Sequence, residues 1–124
     1  MKLFKVFIAS ALLAVVTAPA AHAGQKVLAS APAVITGTNN TLFCDATNID
    51  PVNPIDITGD VMDLSGNVVA TATKTVQPMT GNFFGSFNAP GAWCRFTFTG
   101  SSKNVRAMAV YDDGTTYTVS LPAY

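Results

Sequence analysis

The residue types available for chemistry are few. The sequence contains no glutamate, its seven acidic residues are all aspartate, and its single histidine is His22. Beyond that position the chain lacks both the commonest general base and the commonest transition-metal ligand, so neither a Ser-His-Asp nor a Cys-His site can be assembled. A paired-aspartate site would need an Asp-Thr-Gly or Asp-Ser-Gly motif, and only Asp113-Gly114-Thr115, in the wrong order, is present. The expectation is a protein without catalysis and without a cofactor.

Cys44 and Cys94 are the only cysteines and lie fifty residues apart. A redox pair or a reactive thiol is the functional alternative, but redox pairs favour close spacing such as C-x-x-C. An even number of cysteines in an exported chain points instead to a structural disulfide. Closing a loop of that length would stabilise the fold by about 4 kcal/mol in the chain-entropy model.

Two further groups have the types that binding requires. Trp93, Arg95 and Thr97 alternate onto one side of their segment, and Arg106 lies on the segment expected to follow. An exposed tryptophan beside arginine suits stacking on a sugar ring or anchoring a protein partner. The alternative is a tryptophan covered by a loop, with arginine extended over it. Asp56, Asp60 and Asp63 lie along one segment and its turn. Calcium needs 6–8 converging oxygens, and alternate strand residues diverge, so a solvated face without a metal is expected.

These residues need elements to hold them, and the first 23 positions do not supply one. Lys2 and Lys5, the apolar run Val6 to Val16, and Ala21-His22-Ala23 have the layout of a secretory signal peptide, with cleavage expected after Ala23. The run is short and broken at Pro19, below the roughly 20 residues that span a bilayer. No membrane insertion is expected after cleavage, and the location is read as periplasmic or secreted. Residues 24–124 then form a single domain, since they are too few for two cores. They carry five basic and seven acidic residues, a formal charge of −2, which excludes the clustered positive field that nucleic acid or anionic lipid requires.

Within this domain, alternation recurs at a period of two. Lys26-Val27-Leu28 and Ala33 to Thr36 read as edge strands separated by Pro32. Leu42, Cys44 and Ala46 share one face of the next strand, with Phe43, Asp45 and Thr47 on the other. Two turn-forming dipeptides, Asp50-Pro51 and Asn53-Pro54, interrupt it. Ile55, Ile57, Gly59 and Val61 form the inner face of a third strand, where Gly59 is a candidate bulge. The run Val68 to Thr73 has little charge and is expected to be paired or covered. Pro78 and Gly81 mark a crossing loop. Phe83 and Phe84 are adjacent, so a regular pleat turns at most one of them inward, and Phe87 falls on the side of Phe83. Ala92, Cys94, Phe96 and Phe98 show the clearest alternation, whereas both faces of Val105 to Tyr111 are apolar enough to be buried. Asp112-Asp113-Gly114 signals a hairpin, followed by a last strand with Tyr117, Val119 and Leu121 on one side.

Seven to eight short strands, with turn signals every 8 to 12 or so residues and no sustained helical period, predict an all-β, two-sheet antiparallel sandwich of Greek-key, immunoglobulin-like type with one disulfide. Two cysteines on facing core strands resemble the immunoglobulin-like and fibronectin-type sandwiches. A closer resemblance is to small exported bacterial proteins of unassigned activity, through Cys44-x-x-x-Asn48, Asp63-x-x-Gly66-x-Val68-Val69, Cys94-Arg95-Phe96 and Val105-Arg106-Ala107. That resemblance implies an exported sandwich and no reaction. The expected role is a structural or interaction module. The alternatives are a domain binding protein or glycan through Trp93 and Arg95, and an inhibitor presenting a proline-rich loop.

Overall fold

A computed structural model describes residues 24–34, 41–88, 91–112 and 117–123. The expected signal segment lies outside the described residues, as do the turns expected at Gly37 to Asn40 and Asp113-Gly114. The strands are β1 (Gln25–Ala29), β2 (Ala33–Val34), β3 (Thr41–Asn48), β4 (Ile55–Asp63), β5 (Val68–Val76), β6 (Thr80–Asn88), β7 (Gly91–Thr99), β8 (Val105–Asp112) and β9 (Tyr117–Pro122). They form two antiparallel sheets, ordered β1-β7-β4-β5 and β6-β3-β8-β9, and β2 also pairs with β7.

β1 and β2 are successive pieces of one edge strand, because Gln25 to Ala29 pair with Thr99 to Arg95 and Ala33-Val34 with Ala92-Gly91. Pro32 falls in the gap, where its missing N–H breaks no ladder bond. Counted this way the sandwich has eight strand positions. Only β4–β5 and β8–β9 connect neighbours within a sheet; every other junction crosses between sheets, in Greek-key fashion. The edge strand lies beside β7, late in the chain, whereas the first strand of the immunoglobulin ABED sheet lies beside the second.

The core forms where the two inner faces meet. Leu42, Cys44 and Ala46 from β3 oppose Ala92, Cys94, Phe96 and Phe98 from β7, all at most 3% exposed. The Cys44–Cys94 disulfide joins the sheets with a Cα separation of 5.7 Å. On β8 the inner set is Val105, Ala107, Ala109 and Tyr111. Tyr111 decides that choice: its ring fills the core and its hydroxyl donates to the Ala92 carbonyl on the opposite sheet, so the phenol needs no water.

Two bulges change which residues face inward. Between Cys44/Gly85 and Asp45/Phe83 the β3–β6 register shifts, leaving Phe84 unpaired. Phe84 turns inward, 3% exposed, and meets Phe96 edge to face at 5.9 Å. Phe83 stays outside. Beyond the bulge, Phe87 pairs with inward Leu42 and packs on the core; it therefore faces with Phe84, and not with Phe83 as the unbroken alternation predicts.

The second shift lies between Val61/Ala70 and Met62/Val68, and the extra residue is Val69. Gly59 is thus not a bulge. It makes room for Phe84, whose Cβ would lie 2.5 Å from a Cβ added at Gly59. β5 is paired on one side by β4, and Val68 and Val69 remain exposed. A bulge on an edge strand disrupts the flat template that another chain would extend.

Buried polar side chains tie the loops to this frame. Asn48 is fully buried at the end of β3; its amide donates to the carbonyls of Asn53 and Val76 and its oxygen accepts the Asp50 N–H. Asp50 in turn accepts the N–H groups of Val52 and Asn53 and the Asn104 amide. The Asp50 to Pro54 loop is therefore anchored from below while Val52 at its tip is exposed.

Candidate binding face

Trp93, Arg95 and Thr97 project from the outer face of the β1-β7-β4-β5 sheet, as their alternation predicts. The neighbouring strands engage this face closely. Arg95 Nε and Nη2 both donate to Asp60 Oδ2, at 3.0 and 2.7 Å, and Asp60 Oδ1 accepts Thr71 Oγ1 at 2.7 Å. Further along, Thr58 and Thr73 hydroxyls bond at 2.8 Å, and Thr75 donates to Asp56 at 2.6 Å. These three rows stitch β4 to β5. Trp93 is half-buried and its Nε1 donates to the Asp63 carbonyl at 3.1 Å. Met62 beside it faces outward by alternation yet is 3% exposed.

Arg106 does not join Trp93 and Arg95. It follows them closely in sequence, but β7 and β8 belong to different sheets and their outer faces point in opposite directions. Its Nη1 donates to the carbonyls of Lys103 and Val105 at 3.1 Å. The aspartates of β4 are also separate: Asp56 serves Thr75, Asp60 serves Arg95, and Asp63 closes the turn by accepting the N–H groups of Ser65 and Asn67. Among the described residues, no three His, Cys, Asp or Glu side chains converge as a metal site would need.

The outer face of the other sheet differs in kind. Asp45 at the centre of β3 has Phe83 of β6 on one side and Met108 of β8 on the other, as direct cross-strand neighbours. Phe83 is 45% and Met108 36% exposed. Phe43 extends the patch one row further, its ring 6.0 Å from that of Phe83. On the opposite side of Asp45 the row is Gly81-Thr47-Arg106, where the absence of a side chain at Gly81 lets Thr47 Oγ1 sit close to its backbone; a Cβ there would lie 2.9 Å from that oxygen. A depression of about 340 Å³ results, lined by Asp45, Thr47, Gly81, Asn82, Phe83 and Met108.

Among the described residues the Asp45 carboxylate meets no donor and no cation, and its burial pushes its pKa above the ordinary carboxylate range. This follows from its flanks: Phe83 and Met108 exclude water and offer no hydrogen bond in return. The nearby cations are held elsewhere. Arg106 bonds its own loop, and the Lys74 ammonium donates to the Phe83 carbonyl while lying 5.9 Å from the Phe83 ring centroid.

The alternation had placed Phe43 and Asp45 outward, yet this face did not stand out in the sequence. Its signal is large apolar residues on the solvent side of a strand. Phe83 joins them only because the bulge assigns Phe84, and not Phe83, to the core.

Fold and face together define a disulfide-bonded all-β sandwich with one internally bonded polar face and one exposed face of mixed aromatic and acidic character. Compared with known proteins, the chain matches no family model, no curated protein and no solved structure.

Proposed function

We propose that the protein is a non-catalytic, exported interaction module that binds a protein partner through the outer face of β6-β3-β8. The observation that carries this reading is the exposed Phe83 and Met108 on either side of an unpaired carboxylate. Burying a polar group without a partner is costly, so a half-buried Asp45 fits a surface completed by another molecule. Aromatic and methionine side chains are enriched in such surfaces. Export is supported by the signal-like residues 1–23 and by the disulfide, a bond that persists in oxidising compartments. Among the described residues, no helix is long and apolar enough to cross a membrane. The Trp93/Arg95 face supports a structural role in this reading, because its polar groups are spent on neighbouring strands.

The test is site-specific photo-crosslinking in the exported fraction, with the reactive side chain at position 83 or position 97. A protein captured from position 83 alone is then purified and its affinity measured. Phe83→Ala is expected to weaken it at least tenfold while Trp93→Phe leaves it unchanged, as for a residue central to an interface. Capture from position 97 alone, or an affinity indifferent to Phe83→Ala, overturns the reading.

A further inference from the structure

The chemistry of the depression defines what it would hold. Its lining combines one carboxylate, one exposed phenyl ring, a thioether and the small polar groups of Thr47 and Asn82. Asp45 is the only acid among the described residues of β3 and β6; on β8, Asp112 lies in the row of Thr41, two rows further along this face. Cross-strand neighbours have Cβ atoms roughly 4.5–5.5 Å apart, so the ring and the carboxylate both reach one guest. The depression, about 340 Å³ and open to solvent, has room for a side chain laid against the sheet.

We infer that the Asp45 depression is a subsite for a guanidinium group, the arginine side chain of a protein partner, held by Asp45 and stacked on Phe83. The inference rests on the binding-face reading and gives it a chemical identity. A guanidinium supplies what the carboxylate lacks, hydrogen-bond donors held in a plane, and that plane can stack on the Phe83 ring beside the Lys74 ammonium, which lies 5.9 Å from the ring centroid. An ammonium is more strongly hydrated and has no plane to stack. A neutral sugar would also stack on Phe83, but it would leave the Asp45 charge uncompensated. Lys74 and Arg106 do not fill the role, since each is bonded to a backbone carbonyl and neither pairs with Asp45.

The experiment is an NMR titration of the purified, disulfide-bonded protein with the capped tripeptide Gly-Arg-Gly, set against the same peptide carrying citrulline, the neutral isostere. The arginine peptide is expected to shift the Asp45 carboxyl, the Phe83 ring and the Met108 methyl saturably, in the millimolar range. It should also lower the Asp45 titration midpoint as it saturates. Asp45→Asn, with its fold checked by its melting curve, is expected to weaken binding at least tenfold. Equal shifts from the citrulline peptide overturn the guanidinium assignment and leave the binding face standing. Absence of shifts from either peptide up to tens of millimolar also overturns it, and the face is then judged by the crosslinking at position 83 alone.

Discussion

Ser30 and Cys94 exchange two hydrogen bonds: the Ser30 N–H donates to the Cys94 carbonyl at 2.9 Å, and the Cys94 N–H donates to the Ser30 hydroxyl oxygen at 2.9 Å. A side chain thus substitutes for the backbone acceptor that the broken edge strand does not provide. Ser30 is 4% exposed, so no water replaces it. Ser30→Ala is expected to cost about 1–3 kcal/mol, the penalty for an unsatisfied buried donor. Denaturant melts measure this, and Ser30→Thr, which keeps the hydroxyl, should recover part of the loss. Equal melting of wild type and Ser30→Ala would contradict the role.

The same strand carries the disulfide. With a sequence separation of 50, its removal in a Cys44→Ala/Cys94→Ala variant is expected to cost about 4 kcal/mol in the chain-entropy model. That is a large part of the ~5–15 kcal/mol typical of a domain. Thiol titration of denatured, unreduced protein should find no free cysteine.

Gly59 and Phe84 approach closely across the two sheets, and a Cβ added at Gly59 would lie 2.5 Å from the Phe84 Cβ. Gly59→Ala is expected to destabilise by about 1–3 kcal/mol through overpacking. Adding Phe84→Gly should cost less than the two single changes together, because it removes the Phe84 Cβ and Cγ that a Cβ at Gly59 would meet at 2.5 and 2.6 Å. Strict additivity in this double-mutant cycle would show that Phe84 does not occupy that space.

Three aspartates respond to acid with opposite signs. The N–H groups of Asn53 and Val52 hold Asp50 below the ordinary carboxylate range, and the Asn67 amide and N–H do the same for Asp63. Their folded forms bind protons less readily than the unfolded chain. The stability they contribute is present above the unfolded pKa and is lost as pH falls through the folded value. Asp45 is raised. Its ionisation weighs against folding at neutral pH, and that cost is relieved as pH falls through its folded value. Asp45→Asn is therefore expected to raise the melting temperature at neutral pH with a shrinking effect in acid, and Asp50→Asn to lower it at neutral pH with a shrinking effect in acid. A lower neutral-pH melting temperature for Asp45→Asn would refute the assignment.

Much of the fold was legible because strand alternation is a local property of the backbone. Leu42, Cys44 and Ala46, and Cys94, Phe96 and Phe98, were assigned inward from a period of two alone, and they are inward. The cysteine pairing followed from their faces and spacing. Pro32 marked the gap between β1 and β2 because it lacks an N–H.

The tertiary structure decided everything that depends on a partner strand. A bulge is defined against the neighbouring ladder, so the sequence of β6 did not reveal that Phe84 turns inward and carries Phe87 with it. The buried face of β8 awaited the opposite sheet, where the Ala92 carbonyl meets the Tyr111 hydroxyl. Trp93, Arg95 and Arg106 looked like one site by proximity in sequence, but the chain crosses to the other sheet between β7 and β8. That crossing places Arg106 on the face of Asp45, where Phe83 and Met108, 25 residues apart in sequence, meet only because β3 lies between them. Alternation fixes which side of its own strand a residue occupies where no bulge intervenes; long-range pairing alone fixes where the bulges fall and which residues become its neighbours.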